Sequence, residues 1–445
     1  MDRKARDMEP VELLRHLLRT RSINPGGDHH SVAELVGAYL ADSGLRTKVL
    51  TSPGGHANLV ARVEGPTDRP ALVLLSHSDV VPVEEQRWTR DPFGAELVDG
   101  FVWGRGALDM KGITVMHAVA AAQLAASGAT PSREVIVALV GDEEAGGDHG
   151  ARWLLEDHPD LVGFGDHRPA PDVIGEGAYG IDAGLDRPVL PVALGEKTAL
   201  WFDVVATGDS GHGALPPTRQ AIRNLAATLD RVAGFGTPRL HPVIREQFAT
   251  LASAASGSRA AIFRGLASPA GSVLVRAVAP RLREAGALGH LLSDAVTPTI
   301  IAAGYKSNVV PSDATASFDA RLLPDTDIPD FVASLQQEAA ARGGQVTNVT
   351  HKGHGPVSGK GPLFDILHAA STRIADAALP TVSLSPGITD LRFFRARGAS
   401  AYGWTPLVLS PELLATIHGH DERIPVDGLD HAVTIMSDVV RRAAS

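Results

Sequence analysis

The 445-residue chain sets 41 Lys and Arg against 51 Asp and Glu. Its formal net charge of -10 argues against nucleic acid as a partner, because phosphate binding needs a basic stripe. It has no cysteine, which excludes disulfides, thiolate zinc sites and a cysteine nucleophile, and leaves His, Asp and Glu to hold any metal.

The length exceeds one ordinary core, so two domains are expected. The N-terminal stretch is charged and amphipathic, with no apolar core ahead of a small-residue cleavage site. No apolar run approaches the ~20 residues that cross a bilayer. The expectation is a cytoplasmic protein without a membrane partner. Leu13, Leu14, Leu17 and Leu18 share one face of a helix over residues 10–20. Ser31 and Glu34 form a capping-box pattern that starts a second helix near residue 31. ALVLL (71–75) and VIVALV (135–140) read as buried strands with a helix over 113–126 between them. This alternation predicts an α/β fold, a mostly parallel sheet sandwiched by helices.

From about Lys197 the texture changes. Strands at TALWFDVVATG, PTIIAAG, DATASFDARLL and QVTNVTH, with helices over 220–235 and 327–344, compose two βαβ-type units in an inserted α+β, ferredoxin-like domain. Residues 237–296, rich in Ala, Leu and Arg, read as an extra helical segment within it. After about residue 353 the α/β texture returns and ends in a helix over 427–442. The expected division is 1–196 with 353–445 as one domain and 197–352 as the insertion.

Candidate chemistry falls at strand ends, where open α/β sheets place their sites. His77 and Asp79 follow the first buried strand. His77 can bind a metal with Asp79 fixing its tautomer, or the two form a hydrogen-bonded loop pair. Asp109 stands at the third-glycine position of a Gly-x-Gly turn, where its charge would repel a pyrophosphate. It suits metal bridging, or else a helix N-cap. Glu143 and Glu144 follow VIVALV; neighbouring side chains at a strand end diverge, so one can bind metal while the other acts as a base. An acidic helix start is the alternative. Glu176 follows another short apolar run, and His418 and His420 precede the last helix. Five oxygen or nitrogen donors and one base are what zinc needs without cysteine.

HSDVVP, GRGALDMKG, GDEEAGG and HGHDER, in this order, resemble the metallopeptidase family of aminoacylase-1, glutamate carboxypeptidase, acetylornithine deacetylase and succinyl-diaminopimelate desuccinylase. The resemblance covers nearly the whole chain, and the long insertion is similar to that of the carboxypeptidase S and N-fatty-acyl-amino-acid hydrolase branch. It implies two divalent ions per chain, zinc with cobalt or manganese also accepted, bridged by Asp109. His77 and Glu176 would complete one site, Glu144 and His418 the other. His418 is preferred to His420 because the family's His-x-x-Asp/Asn-Glu spacing fits only with Asp421 and Glu422. Glu143 would be the general base for a bridging water, and the peptide after Asp109 would be cis. The insertion would be a lid that forms a homodimer. His212 and Asn308 would face the partner subunit's site, His212 as an oxyanion donor, and Arg321 would hold a substrate carboxylate unless it pairs with Asp319. The implied reaction is hydrolysis of the amide bond of an N-acyl amino acid or small peptide. A dipeptidase or carboxypeptidase, and a non-catalytic binding homologue, are the rivals. His117 reads as a core residue, and His56, His149 and His354 as loop residues without ligand spacing.

Overall fold

The computed structural model describes residues 8–182, 185–284 and 287–445. The leucine stripe forms the helix Pro10–Arg19, with Leu13, Leu14, Leu17 and Leu18 buried. The next helix, His29–Asp42, begins before the predicted capping box. Asp28 is the cap, accepting the Ser31 amide at 3.0 Å and the Ser31 hydroxyl at 2.5 Å. A carboxylate ahead of Ser31 takes the orphan donors, so Ser31 lies inside the helix rather than opening it.

The main sheet has ten strands. Leu72–His77 is its centre, parallel to Val135–Val140 on one side and to Asp172–Gly175 on the other. Asp172–Gly175 in turn pairs parallel with Ser400–Gly403. Both central strands are buried along their whole length, which is why they read as unbroken apolar runs. One face is covered by a large cluster that includes Pro10–Arg19, Lys111–Ala126 and Val426–Ala443. The other face packs on Ala151–Asp157 and Leu391–Ala396. His117 is fully buried in the first of these layers with neither ring nitrogen bonded, and burial lowers its pKa to about 3, so it is a neutral core residue.

The second sheet is wholly antiparallel, in the order Ala295–Ala303, Asp313–Leu322, Thr198–Thr207, Gly344–His351. With helices Ala221–Ala233 and Ile328–Ala340 it has the ferredoxin-like connectivity and a core of its own around Phe202, Phe318 and Leu335. Within 237–296 the described residues form helices Pro242–Ser253, Gly257–Ala267, Gly271–Glu284 and Ala287–His290, and strand Ala295–Ala303 begins at its end. The helices differ from expectation in where they pack. Ile244, Phe248, Leu251, Phe263 and Leu266 belong to the main core, not to the ferredoxin-like one. The reason is a strand edge: among the described residues Leu379–Ser385 pairs only with Val189–Glu196, and helix Pro242–Ser253 covers it. No helix among the described residues is long and apolar enough to cross a membrane.

Candidate metal centre

Three neighbouring parallel strands deliver the first donors at their carboxyl ends. His77 closes Leu72–His77, and Glu176 follows Asp172–Gly175 directly. Glu143 and Glu144 lie in a short turn after Val135–Val140, opened by Asp142 at φ 78°. Asp109 comes from the loop entering helix Lys111–Ala126, and its peptide to Met110 is cis. That helix is capped at Met110, so Asp109 is not its N-cap. His418 arrives from the turn before the last helix, at φ 57°.

These residues converge. His77 Nε2 lies 3.2 Å from Asp109 Oδ1 and 3.6 Å from Glu176 Oε1. His418 Nε2 lies 3.1 Å from Asp109 Oδ2 and 3.3 Å from Glu144 Oε2. Each oxygen of Asp109 therefore faces one histidine, and each histidine faces a further glutamate. Atoms of His77, Glu143 and Glu176, and of His77, Asp109 and Glu144, also lie within 4.8 Å of one another.

The electrostatics call for cations. Burial, reinforced by Asp109, raises Glu176 to about 8. Burial together with Glu176 pushes Glu143 well above the usual carboxylate range, and burial with Asp109 raises Glu144. Hydrogen bonds to Asp109 and Glu144 raise His418 to about 10. Burial opposes a charged His77, but Glu176, Asp109 and Asp79 outweigh it and raise its pKa strongly. Glu143 Oε1 and Glu144 Oε1 are buried without a hydrogen-bond partner. Four crowded carboxylates, two imidazoles and unpaired oxygens fit divalent ions bound through nitrogen and oxygen.

The surroundings include contacts that strand-end reasoning does not reach. Asp79 meets His77 Nδ1 chiefly through its main-chain carbonyl, at 3.0 Å, with its carboxylate at 3.5 Å. That carboxylate instead accepts the amides of Glu143 at 3.3 Å and Glu144 at 3.1 Å, and Asn24 Nδ2 at 2.8 Å. It ties the glutamate turn to the His77 loop. Glu422, used in the sequence only as a spacing marker, is fully buried and accepts the amides of Gly106, Leu108 and Asp109 at 2.8–3.0 Å. Its carboxylate also pairs with Arg105 at 2.5 Å. Asp390, in the loop after Leu379–Ser385, lies beside His77, Glu143 and Glu176 with neither oxygen hydrogen-bonded. Only its position beyond a strand end could have marked it.

Glu422→Ala would strand the Arg105 guanidinium and three amides in the interior. Removing one partner of a buried pair costs ~3–5 kcal/mol. A clearly lowered thermal midpoint is expected, with weaker metal retention because the Asp109 loop loses its anchor. An unchanged melting curve would count against this.

The inserted domain's candidates lie apart. His212 is exposed on a two-stranded ribbon with Val309, and its Nδ1 accepts the Ala214 amide at 3.0 Å. The Gly213 amide donates to the Asn308 carbonyl at 2.9 Å, so His212 and Asn308 sit on the same ribbon. Arg321 is held by Asp319, its Nε and Nη2 both within 2.9 Å of the carboxylate. None of the three lines the cavity of about 440 Å³ that opens on Asp109, Glu143, Glu144, Glu176 and His418.

Imidazoles and carboxylates gathered at the carboxyl ends of a parallel sheet, beside an inserted ferredoxin-like unit, define a metal-dependent amidohydrolase or metallopeptidase. Residues 73–442 match the model of peptidase family M20/M25/M40, and the chain belongs to that family. It is 28% identical to aminoacylase-1 of Sus scrofa over 445 residues, covering 98% of this chain and 95% of the relative. The M20 family metallo-carboxypeptidase Sso-CP2 from Sulfolobus solfataricus shares the fold at TM-score 0.75 and 18% identity, covering 98% of this chain and 99% of that one. The YXEP protein of Bacillus subtilis, a dinuclear metal binding peptidase from the M20 family, aligns at TM-score 0.60 and 15% identity over 99% of both chains.

Proposed function

We propose that this hydrolase cleaves the amide bond of N-acyl amino acids or small peptides with two divalent ions, zinc being the expected species. Asp109 would bridge them, with His77 and Glu176 completing one site and Glu144 and His418 the other. The observation that supports this reading is the placement of one histidine against each oxygen of Asp109. Bound there, the ions would polarise the scissile carbonyl and acidify the attacking water. Glu143 would take that water's proton and pass it to the leaving amine. Arg321 would exchange Asp319 for the carboxylate of the substrate, which orients it by a bidentate contact.

Residues 1–196 and 353–445, joined by helices Pro242–Ser253 and Gly257–Ala267 that pack on their core, would form the catalytic domain, and the ferredoxin-like remainder of 197–352 the lid. A panel of N-acyl amino acids and dipeptides, incubated with metal-loaded protein and read by mass spectrometry, tests the activity. Cleavage of dipeptides alone would make it a dipeptidase or carboxypeptidase, and cleavage of nothing in the panel would end the proposal.

The same reading makes the protein a homodimer through the lid, with His212 and Asn308 serving the partner's site. His212 would donate a hydrogen bond to the developing oxyanion, a contact worth ~10²–10³ in rate. Glu143→Ala and His212→Ala homodimers should each be nearly inactive. Subunit exchange between them puts both defects into one site of every mixed dimer and leaves the other intact. Random exchange should restore roughly a quarter of wild-type sites under two-fold symmetry. No recovery after exchange verified by native mass spectrometry would place His212 in its own chain's service or in none.

A further inference from the structure

We propose that the cavity beside the metal centre is an acyl-group pocket walled by the helical segment 237–296, selecting uncharged apolar acyl chains of several carbons. The inference rests on the amide-hydrolase reading above and deepens it. Beyond the five residues of the metal centre, the wall is mainly apolar, with Ile181, Leu291, Leu384, Ile388 and Ile417, and its uncharged polar side chains are Tyr179, Gln247, Ser383, Ser385 and Thr389. Gln247 lies on helix Pro242–Ser253 and Leu291 just after Ala287–His290, so both come from the segment that packs on the main core. Both are nearly buried, at 7% and 4% exposure.

Charge decides which half of the substrate enters. No Lys or Arg lines the cavity among the described residues, and its only acidic groups are those of the metal centre. With the ions offsetting the centre's own carboxylates, an amino acid's carboxylate, or an acyl chain ending in one, would still lie against the cavity's apolar wall with no Lys or Arg to pair with it. Burying an unpaired charge is strongly unfavourable. The apolar half of an N-acyl amino acid meets no such penalty. The volume of about 440 Å³ lies within the ~300–1,000 Å³ range of small-molecule sites. Each methylene moved from water into such a wall contributes ~0.8 kcal/mol, or roughly fourfold. Gln247 joins the hydroxyls of Tyr179, Ser383, Ser385 and Thr389 as an uncharged polar group of the wall, and its Oε1 is buried without a hydrogen-bond partner.

The test is kcat/KM for the N-acetyl, N-butyryl, N-hexanoyl and N-glutaryl derivatives of one amino acid, with metal-loaded protein. The expected result is a rise of roughly fourfold per methylene until the cavity fills. Glutaryl should fall at least ~tenfold below hexanoyl, which has similar length but no charge. Leu291→Trp should collapse the hexanoyl-to-acetyl ratio by filling the wall. A flat series, a preference for glutaryl, or an unaltered ratio in Leu291→Trp would overturn the inference. Absence of turnover across the series would count against the proposed activity instead. Calorimetric binding of the same compounds to metal-loaded Glu143→Gln then reads the pocket alone: affinity growing with chain length supports it, and length-independent affinity overturns it. If Leu291→Trp fails to fold, Gln247→Phe puts bulk on the same wall.

Discussion

Glu143→Gln is expected to keep the fold and both metal ions while turnover falls by at least ~10²-fold, the scale of a lost general base. Glutamine nearly matches the shape of glutamate but cannot accept a proton from water. The site tolerates the exchange structurally, because Glu143 is anchored through its amide to Asp79 rather than through its carboxylate. Its Oε1 has no partner to lose. The measurements are single-turnover kinetics and elemental analysis on the same preparation. Near-normal turnover would reassign the base to Glu144. Loss of one ion would instead make Glu143 a ligand, an arrangement its proximity to His77 and Glu176 allows. The two readings of the paired glutamates are thus separated by one variant.

Exhaustive chelation is expected to abolish activity, with zinc or cobalt restoring it and two ions counted per chain. The physical basis is the charge of the centre: among the described residues Asp109, Glu143, Glu144 and Glu176 have His77 and His418 as their close basic neighbours. Removing the ions should also lower the thermal midpoint, since a ligand bound to the folded state alone at 100 times its Kd contributes ~2.7 kcal/mol. Because the ligands must shed protons, retention should weaken as pH falls. His418→Ala should hold one ion and His420→Ala two, because only His418 reaches Asp109 and Glu144. The reverse pattern would show that the late ligand is His420. Full activity in protein shown to be metal-free would remove the mechanism altogether.

Much of the architecture was legible in local pattern. The strand over 135–140 has the bounds its apolar run implies, and the final helix runs one residue beyond its predicted span at each end. Strand ends can be located from such runs, so His77, Glu143, Glu144 and Glu176 stand out as carboxyl-end residues before any fold is known. Asp109 and His418 lacked a strand to mark them; a tight glycine turn pointed to Asp109, and the choice of His418 over His420 came from the family's motif spacing. Which atom meets which was decided only in three dimensions. Asp79 reads locally as a partner for His77, yet its carboxylate serves the amides of Glu143 and Glu144, because Leu72–His77 and Val135–Val140 are neighbours in the sheet. Glu422 holds the Asp109 loop from 313 residues away. The helices of 237–296 were readable as helices, but their apolar faces did not say which core they would join. Periodicity reports how a segment buries its own surface, whereas the partner that supplies the opposite surface depends on strand order and chain crossing. Here those place Gln247 and Leu291 beside residues more than a hundred positions away, in the wall of the metal-site cavity.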